Sequence, residues 1–244
     1  MKHLSLIIIT FLFIGCGGIG TRLGKVRLTN RQPEVFTSNS LKGLLQRTQK
    51  PSIVLRIPVE TSKATTETRF PLSTVYNAIE KELLKGGFTV RDRVLFNELL
   101  AKSQTNDYSK IKELTNTDLI LEVVDFNTSV EYLTNKYYTT SKRGKIKEST
   151  LERGQIKLYG ASTEFKVIIV NSNEISGNYK FNYTPCSSAL DNCEYIIDDN
   201  GKLYINTASG KNKKVVQPYE FIESSFMENF MAQSTRDLIN QLKN

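Results

Sequence analysis

The chain has 244 residues and a mass of 27.7 kDa, is 39% apolar and 24% charged, and carries a formal net charge of +8 from 33 Lys+Arg against 25 Asp+Glu. That composition excludes collagen-like, coiled-coil and wholly disordered chains, and the length is enough for one substantial core and a second small one. A basic balance fits nucleic acid, a membrane surface or nothing specific, so its distribution along the chain has to decide.

Met1-Lys2-His3 is followed by an apolar run from Leu4 to Ile14, the pattern of a signal peptide with a short basic n-region. At ~1.5 Å per residue the run is too short to cross a ~30 Å hydrocarbon core. Phe13-Ile14-Gly15-Cys16 resembles a bacterial lipobox, which implies cleavage before Cys16 and acylation of its thiol; the alternative is ordinary secretion with a small-residue cleavage site. Residues 1–15 are therefore read as signal peptide, and Cys16 as the lipid (diacylglycerol and palmitate) attachment site. Gly15 to Gly20 matches G-x-G-x-x-G literally, but it follows a signal peptide and not a strand, so a dinucleotide site fails on context. His3 is the only histidine and leaves with the signal, so the mature chain has neither His nor Trp. This excludes Ser-His-Asp and Cys-His catalysis and His-ligated zinc.

With Cys16 assigned to lipid, Cys186 and Cys193 remain, seven positions apart in PCSSALDNC. In an oxidising compartment the pair is expected to close a small structural disulfide loop. A metal site there would need two more ligands, with only Asp191 and Glu194 on offer, so no metal and no cofactor are assigned.

Residues 16–50 are read as the lipidated Cys and a polar, basic tether or locally docking arm with scattered apolar residues (Val35, Phe36, Leu41, Leu44, Leu45), and the folded domain as 51–244. Ser52–Ile57 (SIVLRI) suits a strand closed by Pro58. Leu72–Lys85 places Leu72, Val75, Ile79 and Leu83 on one face and stops at Gly86-Gly87, as a helix does. Phe88–Val90 reads as a brief strand, and Asp92 as the cap of a second helix with Leu95, Leu99 and Leu100 facing inward. Tyr108–Leu114 offers a further helical turn or two, and Leu119–Phe126 (LILEVVDF) a strand covered on both faces. This β-α-β-α-β order predicts a layered α/β domain with a partly parallel sheet. Phe165–Val170, the turn NSN and Glu174–Tyr183 then form an antiparallel hairpin, and Pro218–Leu242 a long C-terminal helix with Ile222, Phe226, Phe230, Met231, Leu238 and Leu242 at helical spacing. Two stretches of 34 residues each, 127–160 and 184–217, stand outside this core as inserted β-arms, the second with a hairpin signal around Asp199-Asn200-Gly201.

In this order, and with the lipobox, the segments SIVLRI, FTVRDRVLFNELL, DLILEVVDF and FKVIIVNSNEISGNYKF resemble the CsgG family of outer-membrane lipoproteins, over about residues 52–183 plus the terminal helix. Penicillin-binding-protein activator lipoproteins and the N-terminal domain of TolB share this type of domain. The resemblance implies an α/β (α+β) three-layer sandwich with a mixed sheet, non-enzymatic and working at the periplasmic face of the outer membrane. In CsgG two insertions at comparable places become transmembrane hairpins of a ring-shaped secretion pore. Here the candidate lipid face along 130–138 contains Lys136, and a mid-strand Lys facing lipid costs ~2–4 kcal/mol. The arms are long enough for spanning strands but depart from the pattern in polarity.

The positive charge is concentrated. Residues 17–50 hold seven basic side chains against Glu34; 136–147 hold Lys136, Lys142, Arg143, Lys145 and Lys147 without an acid, and 202–214 hold Lys202, Lys211, Lys213 and Lys214 without one. Outside these stretches and Lys2, 16 basic residues face 24 acidic ones. Lys142, Arg143, Lys145, Lys147, Lys211, Lys213 and Lys214 are thus the expected contacts to an anionic surface, with solvated loop tips as the plain alternative. Export disfavours nucleic acid, and no paired carboxylates are spaced for an enzyme. The expectation is a lipid-anchored envelope assembly or secretion component with no small-molecule substrate, attached to membrane by its lipid and associating with itself or an envelope protein. Alternatives are the oligomeric pore itself and a periplasmic regulator of a cell-wall synthase.

Overall fold

A computed structural model describes residues 24–56, 72–103, 108–140, 143, 145–152, 154–187, 195–197, 203–205 and 224–243. The first strand of the α/β core is β3 (Ser52–Arg56), four of whose five residues are buried. It runs parallel to both neighbours, the short β4 (Thr89–Val90) on one side and β5 (Leu119–Thr134) on the other. The long strand β8 (Ile156–Ile169) pairs antiparallel with β5, and β9 (Glu174–Tyr183) with β8, turning through Asn173 in a left-handed conformation (φ 53°). With β2 (Glu34–Thr37) on β9, the mixed sheet has the order β2-β9-β8-β5-β3-β4.

Strand alternation sorts the side chains between two faces. On one face Ile53, Leu55, Leu119, Leu121, Phe165 and Val167 meet the helices α1 (Asn39–Arg47), α2 (Leu72–Lys85) and α5 (Ser224–Lys243) in the main core. On the other face Val54, Ile120, Ile168 and Val170 meet Phe96 of α3 (Arg93–Ser103) and Tyr108 at the start of α4 (Ser109–Thr115). The result is the expected three-layer sandwich with a mixed sheet. Burial on both faces explains why the strands read as almost unbroken apolar runs.

α2 begins and ends where the spacing places it, with Val75, Ile79 and Leu83 buried. Its end is a Schellman turn: Phe88 N–H bonds to Leu83 O (3.1 Å) and Gly87 N–H to Leu84 O (3.0 Å). Gly87 takes φ 85° there, a left-handed conformation that a side chain disfavours. α3 differs in phase from expectation. Asp92 caps it, its Oδ1 accepting from Val94 N (2.7 Å) and Leu95 N (3.0 Å), but Phe96 is the buried residue while Leu95 is 55% exposed. Apolar residues occur nearly all round this helix, so spacing alone does not fix which face turns in. In α5 Met231, Leu238 and Leu242 are buried as expected, Phe226 is 41% exposed, and residues 218–223 lie outside the described residues.

The expected tether gives way at residue 24. β2 adds a strand to the main sheet, and α1 follows, its first turn capped by Ser38 Oγ accepting from Leu41 N (3.2 Å). Leu41 is fully buried in the main core, which ties residues 34–47 to the domain. β1 (Gly24–Val26) belongs to a second, five-stranded antiparallel sheet, β11-β10-β1-β6-β7, with β6 (Lys136–Thr140), β7 (Ile146–Thr150), β10 (Tyr195–Ile197) and β11 (Leu203–Ile205). The two insertions and the N-terminal segment thus meet in one sheet. It packs on the far half of the β5–β8 ribbon around Val26, Leu28, Tyr132, Ile156, Leu158 and Ile197. Between the near and far halves β5 carries two irregularities, at 123/125 and 127/130, which bend the ribbon and reset its alternation.

Candidate functional site

Three strands of the small sheet are fixed by register. Lys25 lies opposite Tyr138 and Val26 opposite Tyr137, while Tyr138 lies opposite Glu148. Val26 belongs to the inward set and Tyr137 packs against it, so Lys25, Lys136, Tyr138 and Glu148 share the outer face. On that face Lys136 Nζ pairs with Glu148 Oε1 (2.9 Å) and Tyr138 OH donates to Glu148 Oε2 (2.8 Å). These two contacts hold the Glu148 carboxyl below the usual carboxylate range, and the same carboxylate raises Lys136 and Tyr138. The Arg27 guanidinium sits 6.0 Å from the Tyr138 ring centre.

The small core is closed by a polar latch. Tyr132 is 6% exposed and its ring lies 4.5 Å from the Arg31 guanidinium. Its hydroxyl accepts from Thr184 Oγ1 (3.0 Å), which in turn accepts from Arg31 N–H (3.2 Å). Leu28 N–H bonds to Cys186 O (3.2 Å), joining the second insertion to the N-terminal strand region. Cys186 is disulfide-bonded and packs against this core; its expected partner Cys193 lies outside the described residues.

Of the expected anionic-surface contacts, Arg143, Lys145 and Lys147 are exposed at the β6–β7 hairpin, beside Ile146 at 69% exposure. Cys16, Lys142, Lys211, Lys213 and Lys214 lie outside the described residues, as does the Asp199–Gly201 turn. Its flanking strands β10 and β11 do pair antiparallel, Ile197 opposite Leu203. Lys25, Arg27 and Arg31, three of the seven basic residues of 17–50, lie in β1 and just after it and not in a tether. Alternation in GKVRL, small-basic-apolar-basic-apolar, is the signal that reveals a strand there.

Elsewhere polar groups are tied up in structure. At the carboxyl end of β3, opposite Glu122 of β5, Arg56 donates to Glu122 Oε1 (2.6 Å) and to the Tyr108 hydroxyl, so its guanidinium is engaged; burial raises Tyr108. A cleft of about 330 Å³ lies at the C-terminal ends of α1, α2 and α5, with Lys42, Lys50 and Lys243 in its lining. A second, of about 370 Å³, lies between residues 30–33, the end of β9 and α5, lined by amide side chains and the rings of Tyr183 and Phe226. Among the described residues no three His, Cys, Asp or Glu side chains converge as a metal site would require, and no helix is long and apolar enough to cross a membrane.

No protein-family model matches the chain, and no curated protein matches it. Among solved structures it is similar to the PelC dodecamer from Paraburkholderia phytofirmans, at 12% identity over 87% of this chain and 96% of that one, with a TM-score of 0.36. It is similar to a substituted form of the same dodecamer at 11% identity over 88% and 100% of the two chains, again with a TM-score of 0.36, a value too low to establish a common fold.

Proposed function

We propose that the chain is a non-enzymatic, lipid-anchored envelope lipoprotein of CsgG-like type, serving assembly or secretion at the periplasmic face of the outer membrane. The observation that supports it is the union of the N-terminal segment and both insertions in one small sheet. β1 begins eight residues after Cys16, so an acylated Cys16 would hold that sheet within ~28 Å of the bilayer. The main domain offers a surface for a second copy or an envelope partner at the open edge β2, where Val35 is 41% and Phe36 60% exposed. A pore built from the arms is the less favoured reading, since β6 and β7 have five residues each and a spanning strand takes ~9–11. The test is mass spectrometry of the N-terminal peptide together with membrane fractionation. An acylated Cys16 is expected, with release from the outer membrane on Cys16→Ala; a Cys16→Ala protein that stays acylated and membrane-bound overturns the reading.

A further inference from the structure

We infer that the end of the small sheet formed by the β6–β7 hairpin and the start of β1 is a docking surface for anionic phospholipid headgroups, separate from the covalent anchor. Three observations carry it. The first is direction. β1 and β6 are antiparallel with Lys25 opposite Tyr138 and Val26 opposite Tyr137, so the chain enters β1 at the end of the sheet where the β6–β7 hairpin turns. The start of β1 and the hairpin tip therefore lie at the same end of the sheet. Their nearness to a bilayer rests on the anchored reading above, but the surface chemistry does not.

The second observation is charge. Residues 24–28 and 136–150 contain six described basic side chains (Lys25, Arg27, Lys136, Arg143, Lys145 and Lys147) against Glu148 alone. Glu148 is consumed by Lys136, and Arg143 and Lys147 form no ion pair with a described residue. A leaflet rich in anionic lipid attracts such residues, and the attraction falls off within about 10 Å at 0.1 M salt. The third is Ile146, 69% exposed among the basic side chains at the hairpin tip. An apolar side chain flanked by cations is the pattern of a segment that rests at the headgroup boundary, the cations on phosphates and the apolar group at the acyl edge.

The test is flotation of the chain from Gly17 onward, which contains every described element, with vesicles of phosphatidylethanolamine and about 30% phosphatidylglycerol or of phosphatidylcholine alone. Binding to the anionic vesicles only, lost on raising salt from about 0.1 to 0.5 M, is expected. Arg143→Gln and Lys147→Gln should each weaken it about five-fold, the pair about 25-fold, with the circular dichroism spectrum and melting temperature unchanged. Ile146→Asn should weaken binding to anionic vesicles as well. Equal binding to both vesicle types, or indifference to the Arg143/Lys147 pair, overturns the inference. So does complete displacement of the vesicles by a soluble sulfated polysaccharide at equal charge, which would assign the surface to an anionic polymer. Acylation of Cys16 is read separately by mass, so failure of the anchor and failure of the docking surface give different results.

Discussion

Truncating Tyr132 tests whether the small sheet is a separate unit of stability. Tyr132 is the largest member of a core whose buried set is only six residues, so Tyr132→Ala removes a ring that nothing nearby replaces. Large-to-small changes of buried aromatics cost about 3–5 kcal/mol. The substitution also strips the Arg31 guanidinium of its aromatic face, about 0.5–1 kcal/mol, and leaves the buried Thr184 hydroxyl without its acceptor, about 1–3 kcal/mol. These terms overlap, and about 4 kcal/mol is a fair total. Because main-sheet residues such as Val54, Ile120 and Val167 belong to other clusters, the loss should appear as local opening. In native-state hydrogen exchange the amides of β1 and β6 should speed up by at least a hundred-fold, while those of β3 and the first half of β5 keep their rates. Tyr132→Phe retains the ring and loses one hydrogen bond, so it should show about a five- to hundred-fold effect in the same amides. Equal acceleration in β3 and β1 would refute the reasoning, since the two sheets would then open as one.

Two further outcomes follow from the packing. Glu82 joins α2 to α5, its carboxylate paired with Lys85 (2.6 Å) and Arg236 (3.3 Å), and the Lys85 bond foremost holds its pKa below the ordinary 4.5. A depressed carboxyl stabilises the fold above about pH 4.5 and loses that contribution as pH falls through the lower folded value. Glu82→Gln should lower the melting temperature by roughly 3–6 °C at neutral pH and by progressively less in acid; a difference that grows toward low pH would reverse the sign. At Gly160 an added Cβ would meet Tyr183 O at 2.2 Å and Tyr132 Cε2 at 2.5 Å. A backbone oxygen cannot swing aside, so Gly160→Ala should cost about 1–3 kcal/mol, roughly 3–10 °C in melting temperature; an unchanged melt would refute the close approach.

The elements that bury both faces, or one clear stripe, were legible in the sequence. SIVLR, LILEVV and the α2 stripe state their environment directly, and the Gly86-Gly87 stop is realised as the Schellman turn. The stretch 24–47 was less legible because β1 and β2 are only three and four residues long and β2 has no buried residue. Yet Ser38 followed by Leu41, Leu44 and Leu45 is a cap ahead of a helical stripe, and it marks α1. The phase of α3 was ambiguous because Val94, Leu95, Phe96, Leu99 and Leu100 are all apolar, and contact with Ile120 and Val54 decides it. The full length of β5 and β8 was hidden because their outer halves bury one face only and alternate with polar residues. The same alternation concealed Tyr132, Arg31 and Thr184 as partners, since their meeting depends on pairings more than 50 residues apart in the chain.

The two irregularities in β5 have a consequence for attitude. A linker between the main body and the small sheet would let each tumble on its own. Here the small sheet packs on the far half of the same β5–β8 ribbon whose near half lies in the main body, and the irregularities between the halves are set by hydrogen-bond register, with β8 continuing as the unbroken partner. The molecule is built as a bracket. Whatever the small sheet rests on, the β2 edge is presented at one fixed inclination to it.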